Sequence, residues 1–295
     1  SGLQMERFSL PVDPALTLMG YAAEVDAPRC RVCMVHGVGD HFPRYQELAD
    51  TLRAAGCSVY GMDLPGHGES PGRRGYIGTP DTADRCITAL IRASEARAPQ
   101  RTPLVVFGHS MGGLLVLRYR HEHADCGAVA FLVCSPWLGL HFAFSGEERA
   151  EYARMVQEDP YCVHETKINP HQLYTKEPGR IIPRDPLMHA QIAYANILDR
   201  LNDIDLVFAA TGEKRAPVYI MAGSEDPICS VQSIQKYAAM EGDQCCLRVW
   251  PGLKHEPWNE PNRREVTGKM LAWLDWRIPA CGACAQGPEE PAREL

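Results

Sequence analysis

The sequence has no uninterrupted apolar run near the ~20 residues that a membrane-spanning helix needs, so a transmembrane anchor is not expected. Its first residues, SGLQMERFSLPVDPALTLMG, lack a basic start followed by an apolar stretch and a cleavage site, and we expect no secretory leader. Residues 1–5 are set aside because Ser1 is not an initiator Met. Positive charge is also scarce. Thirty Lys and Arg stand against 37 Asp and Glu, a formal net charge of -7, so no overall cationic field exists to hold a phosphate backbone and nucleic acid is not an expected partner. No internal repeat is visible. What remains is a 295-residue chain, 45% hydrophobic and 23% charged, with 25 Gly and 23 Pro spread along it, as in an ordinary globular protein with one large core.

Cysteine is abundant: the chain has 12. Cys30-x-x-Cys33 lies in the apolar stretch RCRVCMVHG, where a strand sends the two thiols to opposite faces and cannot make them share one ion. Cys281-x-x-Cys284 lies in the tail PACGACAQGPEEPAREL without a nearby His. We expect no metal and read most of the cysteines, including Cys57, Cys134 and Cys246, as small core residues.

Short β-branched and apolar runs alternate with longer segments of helical period, which predicts an α/β fold, a mostly parallel sheet covered by helices. The predicted strands are Leu16–Val25, Cys30–Val35, Ser58–Met62, Leu104–Phe107, Val129–Cys134, Val218–Ala222 and Cys246–Val249. The predicted helices are Arg44–Ala55, Thr82–Arg97, Met111–His123, Ser230–Met240 and Glu260–Trp276. In Arg44–Ala55, Tyr45, Leu48, Ala49 and Leu52 recur at helical spacing and define a buried face. The alternation breaks between about Trp137 and Thr211, where no strand pattern is visible. This divides the chain into a core (6–136 and 212–278), a helical cap (137–211) and a flexible tail (279–295). The cap begins with WLGLHFAF, whose Trp137, Leu138 and Phe142 are candidates for contact with substrate; burial beneath the cap is the plainer reading of the same run.

Gly108-His109-Ser110-Met111-Gly112 has the form G-x-S-x-G, preceded by the apolar strand PLVVF and followed by a helix-compatible run, the strand–turn–helix setting of a nucleophilic serine. Such a hydroxyl needs a base to take its proton and a carboxylate to orient the base. With the order Ser, acid, His, and with acid and base on loops after late strands, Asp226 after PVYIMAG and His255 after CCLRVWPG are the candidates. Backbone donors for an oxyanion come from Met111, after the serine, and from Val38, in the Gly-rich loop HGVGDH after RVCMV. His36 is read as a structural histidine of that loop. Asp63, His67 and Ser70 lie too close together on one loop to form a second triad.

The segment HGVGDHFPRYQELADTLRAAGCSVYGMDLPGHGESPGRRGYI, followed in order by GHSMGG, RDPLMH, AGSEDPI and PGLKHE, resembles the monoacylglycerol lipase and lysophospholipase group of the α/β-hydrolase superfamily, over about residues 8–278. The resemblance implies an α/β-hydrolase fold and a serine hydrolase of lipid monoesters, monoacylglycerol first among them. It implies Ser110, Asp226 and His255 as triad, Val38 and Met111 as oxyanion donors, and no cofactor. Asp40 departs from the group's pattern, which has Glu in the HG-x-G-E-H loop; its carboxylate is a candidate for holding a glycerol hydroxyl or ordering the loop. The alternatives are a lysophospholipase, a small-ester, acyl-amide or thioester hydrolase with the same triad, and a non-catalytic ligand-binding relative. The expected partner is a small lipid ester, in a cytoplasmic protein with at most transient peripheral membrane contact through the cap.

Overall fold

In the computed structural model, residues 5–181 and 184–278 are described. The tail 279–295, with Cys281 and Cys284, lies outside them. An eight-stranded sheet carries the molecule: β1 (Glu6–Asp13), β2 (Leu16–Ala23), β3 (Cys30–Val35), β4 (Cys57–Met62), β5 (Leu104–His109), β6 (Ala128–Cys134), β9 (Val218–Gly223) and β10 (Cys245–Trp250) pair in the order β1-β2-β4-β3-β5-β6-β9-β10. All pairings from β4 to β10 are parallel, while β2 is antiparallel to both β1 and β4. Every residue of β3, β4, β5 and β9 is buried, as expected of strands covered on both faces.

The two-residue side-chain period divides the core. Cys33 and Val35 of β3 point into one apolar layer, and Cys30, Val32 and Met34 into the other. Cys30 and Cys33 therefore face opposite ways, Cys30 towards Cys57 and Cys33 towards Ser94. The helices of the first layer are α2 (Pro80–Arg97), α3 (Met111–Glu122) and α7 (Val231–Glu241); α1 (Gln46–Ala54) and α8 (Arg263–Asp275) pack on the other face. The anticipated face of α1 is buried, but its first turn is a separate 3-10 turn, Phe42–Tyr45, with Pro43 inside it.

Three elements differ from the sequence expectation. Strand β1 is absent from it because Pro11 interrupts its alternation; Pro11 is tolerated because β1 is an edge strand with a register shift between Pro11 and Asp13. The segment 137–211 is not purely helical. Besides α4 (Gly146–Glu158) and the single turn α5 (Pro170–Leu173), it holds an antiparallel pair, β7 (Val163–Glu165) with β8 (Gln191–Ala193), three residues each and too short to show a period. Helix α6 (Tyr194–Ala209) buries Ile197, Leu201 and Val207 in the core layer and packs against α3, so its apolar stripe belongs to the sheet's cover.

Candidate active site

The turn between β5 and α3 puts Ser110 at the carboxyl end of the sheet with φ 56° and ψ -116°, a left-handed conformation that a non-glycine residue keeps only when its surroundings impose it. The two motif glycines are needed because backbone crowds in. A Cβ on Gly108 would lie 2.3 Å from the Gly112 carbonyl oxygen, and one on Gly112 would lie 2.2 Å from that of Val35. The Ser110 amide donates to the Cys134 carbonyl (3.0 Å), and its own carbonyl accepts from Leu114 (3.1 Å) and Trp137 (3.1 Å), which fixes the turn on three sides.

Asp226 follows β9 and His255 follows β10, and the two meet: His255 Nδ1 lies 2.8 Å from Asp226 Oδ2. The other carboxylate oxygen accepts from the amides of Ile228 (2.8 Å) and Cys229 (3.0 Å), so Asp226 cannot swing away. Burial opposes the charge on Asp226, but the His255 ring and those amides hold its carboxyl below the usual carboxylate range. Burial would likewise lower His255; the Asp226 charge and hydrogen bond outweigh it and raise the imidazole above its ordinary value, with Glu256 and Asp40 adding to the effect. With Nδ1–H given to Asp226, Nε2 is left as the acceptor. His109 also packs on His255, ring centroids 4.8 Å apart, but burial and then the His255 charge push it down to about 4, so it is neutral near pH 7.

Sequence reasoning missed Cys229. Its thiol lies, with a His255 ring nitrogen and an Asp226 oxygen, in a cluster within 4.8 Å, and Cys229 lines the same cavity as Ser110. Burial pushes this thiol well above its ordinary value, so it is present as the neutral SH, a poor metal ligand. The only sequence signal was its position three residues after Asp226, on the turn that brings two amides onto that carboxylate.

The oxyanion candidates lie beside the serine. Met111 is the first residue of α3, where an amide has no acceptor within the helix. Gly37 and Val38 line the cavity, and a Cβ on Gly37 would stand 3.2 Å from that of Ser110, so the loop passes directly over the nucleophile. His36 has the structural role expected: its Nε2 accepts from the Leu64 amide (3.0 Å) and its Nδ1 bonds the Gly37 carbonyl (2.8 Å). Asp63 is structural too, accepting from the Phe42 amide, the Tyr21 hydroxyl and the Glu69 amide.

A cavity of about 1150 Å³ opens above Ser110. Trp137 and Phe142 line it, with Leu140, Ile168, Leu173 and Ile228 among the other apolar walls. Leu138 corrects the sequence expectation: the turn after Pro136 keeps it out of the cavity wall and in the core, 2% exposed, in the same apolar layer that Trp137 borders. Asp40 borders the cavity, but its oxygens are engaged by the protein. Oδ1 accepts from the His41 amide (2.9 Å) and Arg44 (2.9 Å), and Oδ2 from the Tyr45 hydroxyl (2.7 Å).

A strained serine elbow at the carboxyl edge of this sheet, with an Asp–His pair on the two strand-end loops that follow, defines an α/β-hydrolase. The chain belongs to the Hydrolase_4 family, described as serine aminopeptidase, S33, whose pattern matches residues 26–262. It is 24% identical to a monoacylglycerol lipase of Mycolicibacterium smegmatis over 273 residues, 84% of this chain and 88% of that protein. An uncharacterized abhydrolase domain-containing protein of Dictyostelium discoideum is 25% identical over 85% of this chain, which spans only 27% of that protein's length. Among solved structures, a monoacylglycerol lipase of Paleococcus ferrophilus superposes with a TM-score of 0.75 at 25% identity, over 92% of this chain and 98% of the other. These likenesses agree with the resemblance of its motif order to the monoacylglycerol lipase group.

Proposed function

We propose that this protein hydrolyses carboxylic esters of lipids through an acyl-enzyme on Ser110, with a monoacylglycerol as the substrate that best fits. The observation that carries the reading is the Asp226–His255 hydrogen bond beside a strained Ser110 at the floor of a largely apolar cavity. His255 Nε2 accepts the Ser110 proton as Oγ attacks the ester carbonyl, and the Val38 and Met111 amides stabilise the resulting oxyanion. His255 then protonates the departing glycerol oxygen. Water, activated by the same imidazole, releases the fatty acid. Throughout, Asp226 holds the tautomer and stabilises the imidazolium.

The reading includes residues 137–211 as the cap that shapes the acyl site. Phe142 and Ile181, 62% and 87% exposed, support transient contact of this region with a lipid surface. Among the described residues no helix is long and apolar enough to cross a membrane. The ten described cysteines are free, which supports a reducing, cytoplasmic setting. Labelling with a fluorophosphonate tests the site: the wild type takes the label at Ser110 and Ser110→Ala does not, while a folded wild type that stays unlabelled would refute the triad.

A further inference from the structure

The oxyanion loop follows β3 and the loop bearing His255 follows β10, and three strands, β5, β6 and β9, lie between them in the sheet. Strand register alone therefore sets their separation only through four successive pairings. One side chain spans the gap directly. Arg44 Nη1 donates to Asp40 Oδ1 on the oxyanion side and to Glu256 Oε2 on the base side, both at 2.9 Å, and Nη2 donates to Glu256 Oε1 at 2.8 Å. Glu256 is the residue after His255 and is 1% exposed; Asp40 is 3% exposed. The remaining acceptor positions are filled by Tyr45, the His41 amide and Asn259 Nδ2, the last at 2.9 Å from Glu256 Oε1.

We propose that Arg44 and Glu256 are positioning residues that lock the His255 loop to the oxyanion loop, so that base and oxyanion donors meet one carbonyl in the same geometry. The proposal rests on the triad reading above. Taking three charges out of water is costly and gives little net stability even when they are well paired, so stability alone is a weak reason for a buried carboxylate–guanidinium–carboxylate bridge. Relative placement of reacting groups is a better one, because misplacement by about 1 Å costs on the order of 100-fold in rate. The bridge also acts through charge. The groups facing His255 are Asp226 from the loop after β9, with Cys229 and with His141 bonded to its backbone carbonyl; Ser110 and His109 from the elbow; Glu256 from its own loop; and Asp40 with Arg44 from the oxyanion side. Glu256 favours the imidazolium, and Arg44 offsets it.

The test is the pH profile of kcat/KM on a short-chain ester, read together with fluorophosphonate labelling of Ser110. Removing an anion beside His255 lowers its pKa and removing the cation raises it. Glu256→Gln therefore moves the acid limb down, and Arg44→Gln moves it up, each by about half a pH unit or more. Both lower kcat by about tenfold or more while KM changes less. Arg44→Lys keeps the charge but loses the two-pronged fork; its limb stays at the wild-type pH while kcat falls. If a single variant fails to fold, the double neutral variant Glu256→Gln/Arg44→Gln decides: it leaves the limb near its wild-type position and still loses kcat. Limbs that do not move in opposite directions in labelled, folded single variants, or a double variant with wild-type kcat, would overturn the proposal alone. A folded wild type that takes no label overturns the triad reading first and this proposal with it.

Discussion

Gly39 and His189 meet backbone to backbone. The His189 amide donates to the Gly39 carbonyl at 3.0 Å, and a Cβ on Gly39 would fall 1.9 Å from the His189 carbonyl oxygen. This is where the segment 137–211 touches the oxyanion loop, and no other residue type fits there, since Gly39 also has φ +69°. The contact is extended by His41 Nε2 on Asp185 Oδ2, while the Ala193 amide on the Gly75 carbonyl (2.9 Å) ties the same segment to the loop after β4.

Gly39→Ala should therefore injure catalysis more than folding. The alanine must displace either the His189 backbone or the loop that carries Val38, and loss of one well-placed oxyanion donor costs on the order of 100-fold in kcat. The measurements are kcat and thermal midpoint side by side; wild-type kcat in a folded variant would show that the loop tolerates the shift.

The pH profile follows from the sign of the His255 shift. The base must be neutral to accept the Ser110 proton, and its pKa lies above the ordinary 6.5, so kcat/KM should fall with an acid limb above pH 6.5. Asp226→Asn removes the group that raises it, so the limb moves down, and kcat drops on the order of 1,000- to 10,000-fold through loss of the correct tautomer. A limb that stays in place in Asp226→Asn would contradict the pairing of these two residues.

Asp63 offers the opposite test. It is fully buried and accepts three hydrogen bonds far from any substrate role, so Asp63→Ala should destabilise the fold by about 3 kcal/mol, leaving the Tyr21 hydroxyl and two amides without acceptors. Denaturant unfolding measures this. A stable variant with lost activity would move Asp63 into the chemistry.

Phe142, exposed yet lining the cavity and packed edge-on against Phe144 at 5.2 Å, should matter for the acyl chain rather than for stability. Phe142→Ala is expected to raise KM for a long-chain monoacylglycerol several-fold, with KM for a short-chain ester and the thermal midpoint little changed. Equal effects on both substrates would remove it from the acyl path.

Sequence reasoning reached what is local. The elbow is legible because two glycines, a serine, a preceding strand and a following helix are contiguous, and the central strands because both of their faces are buried. Asp226 and His255 could be chosen among many acids and 11 histidines because each directly follows a strand pattern. What escaped depends on contacts distant in sequence or too brief to have a period. Strand β1 is masked by Pro11, and β7 and β8 have three residues each. Trp137 and Leu138 are adjacent in an apolar run, and only the turn after Pro136 decides which meets the cavity. Arg44 and Glu256 are 212 residues apart, and nothing in either segment announces that one guanidinium joins them.

The central claim is that Ser110 drives lipid-ester hydrolysis, and oleate release from monooleoylglycerol, with the Ser110→Ala rate subtracted, tests it most directly. The account predicts serine-dependent oleate release far above background from the wild type. No release from a wild-type protein whose Ser110 still takes a fluorophosphonate would contradict the lipid substrate while leaving the triad standing.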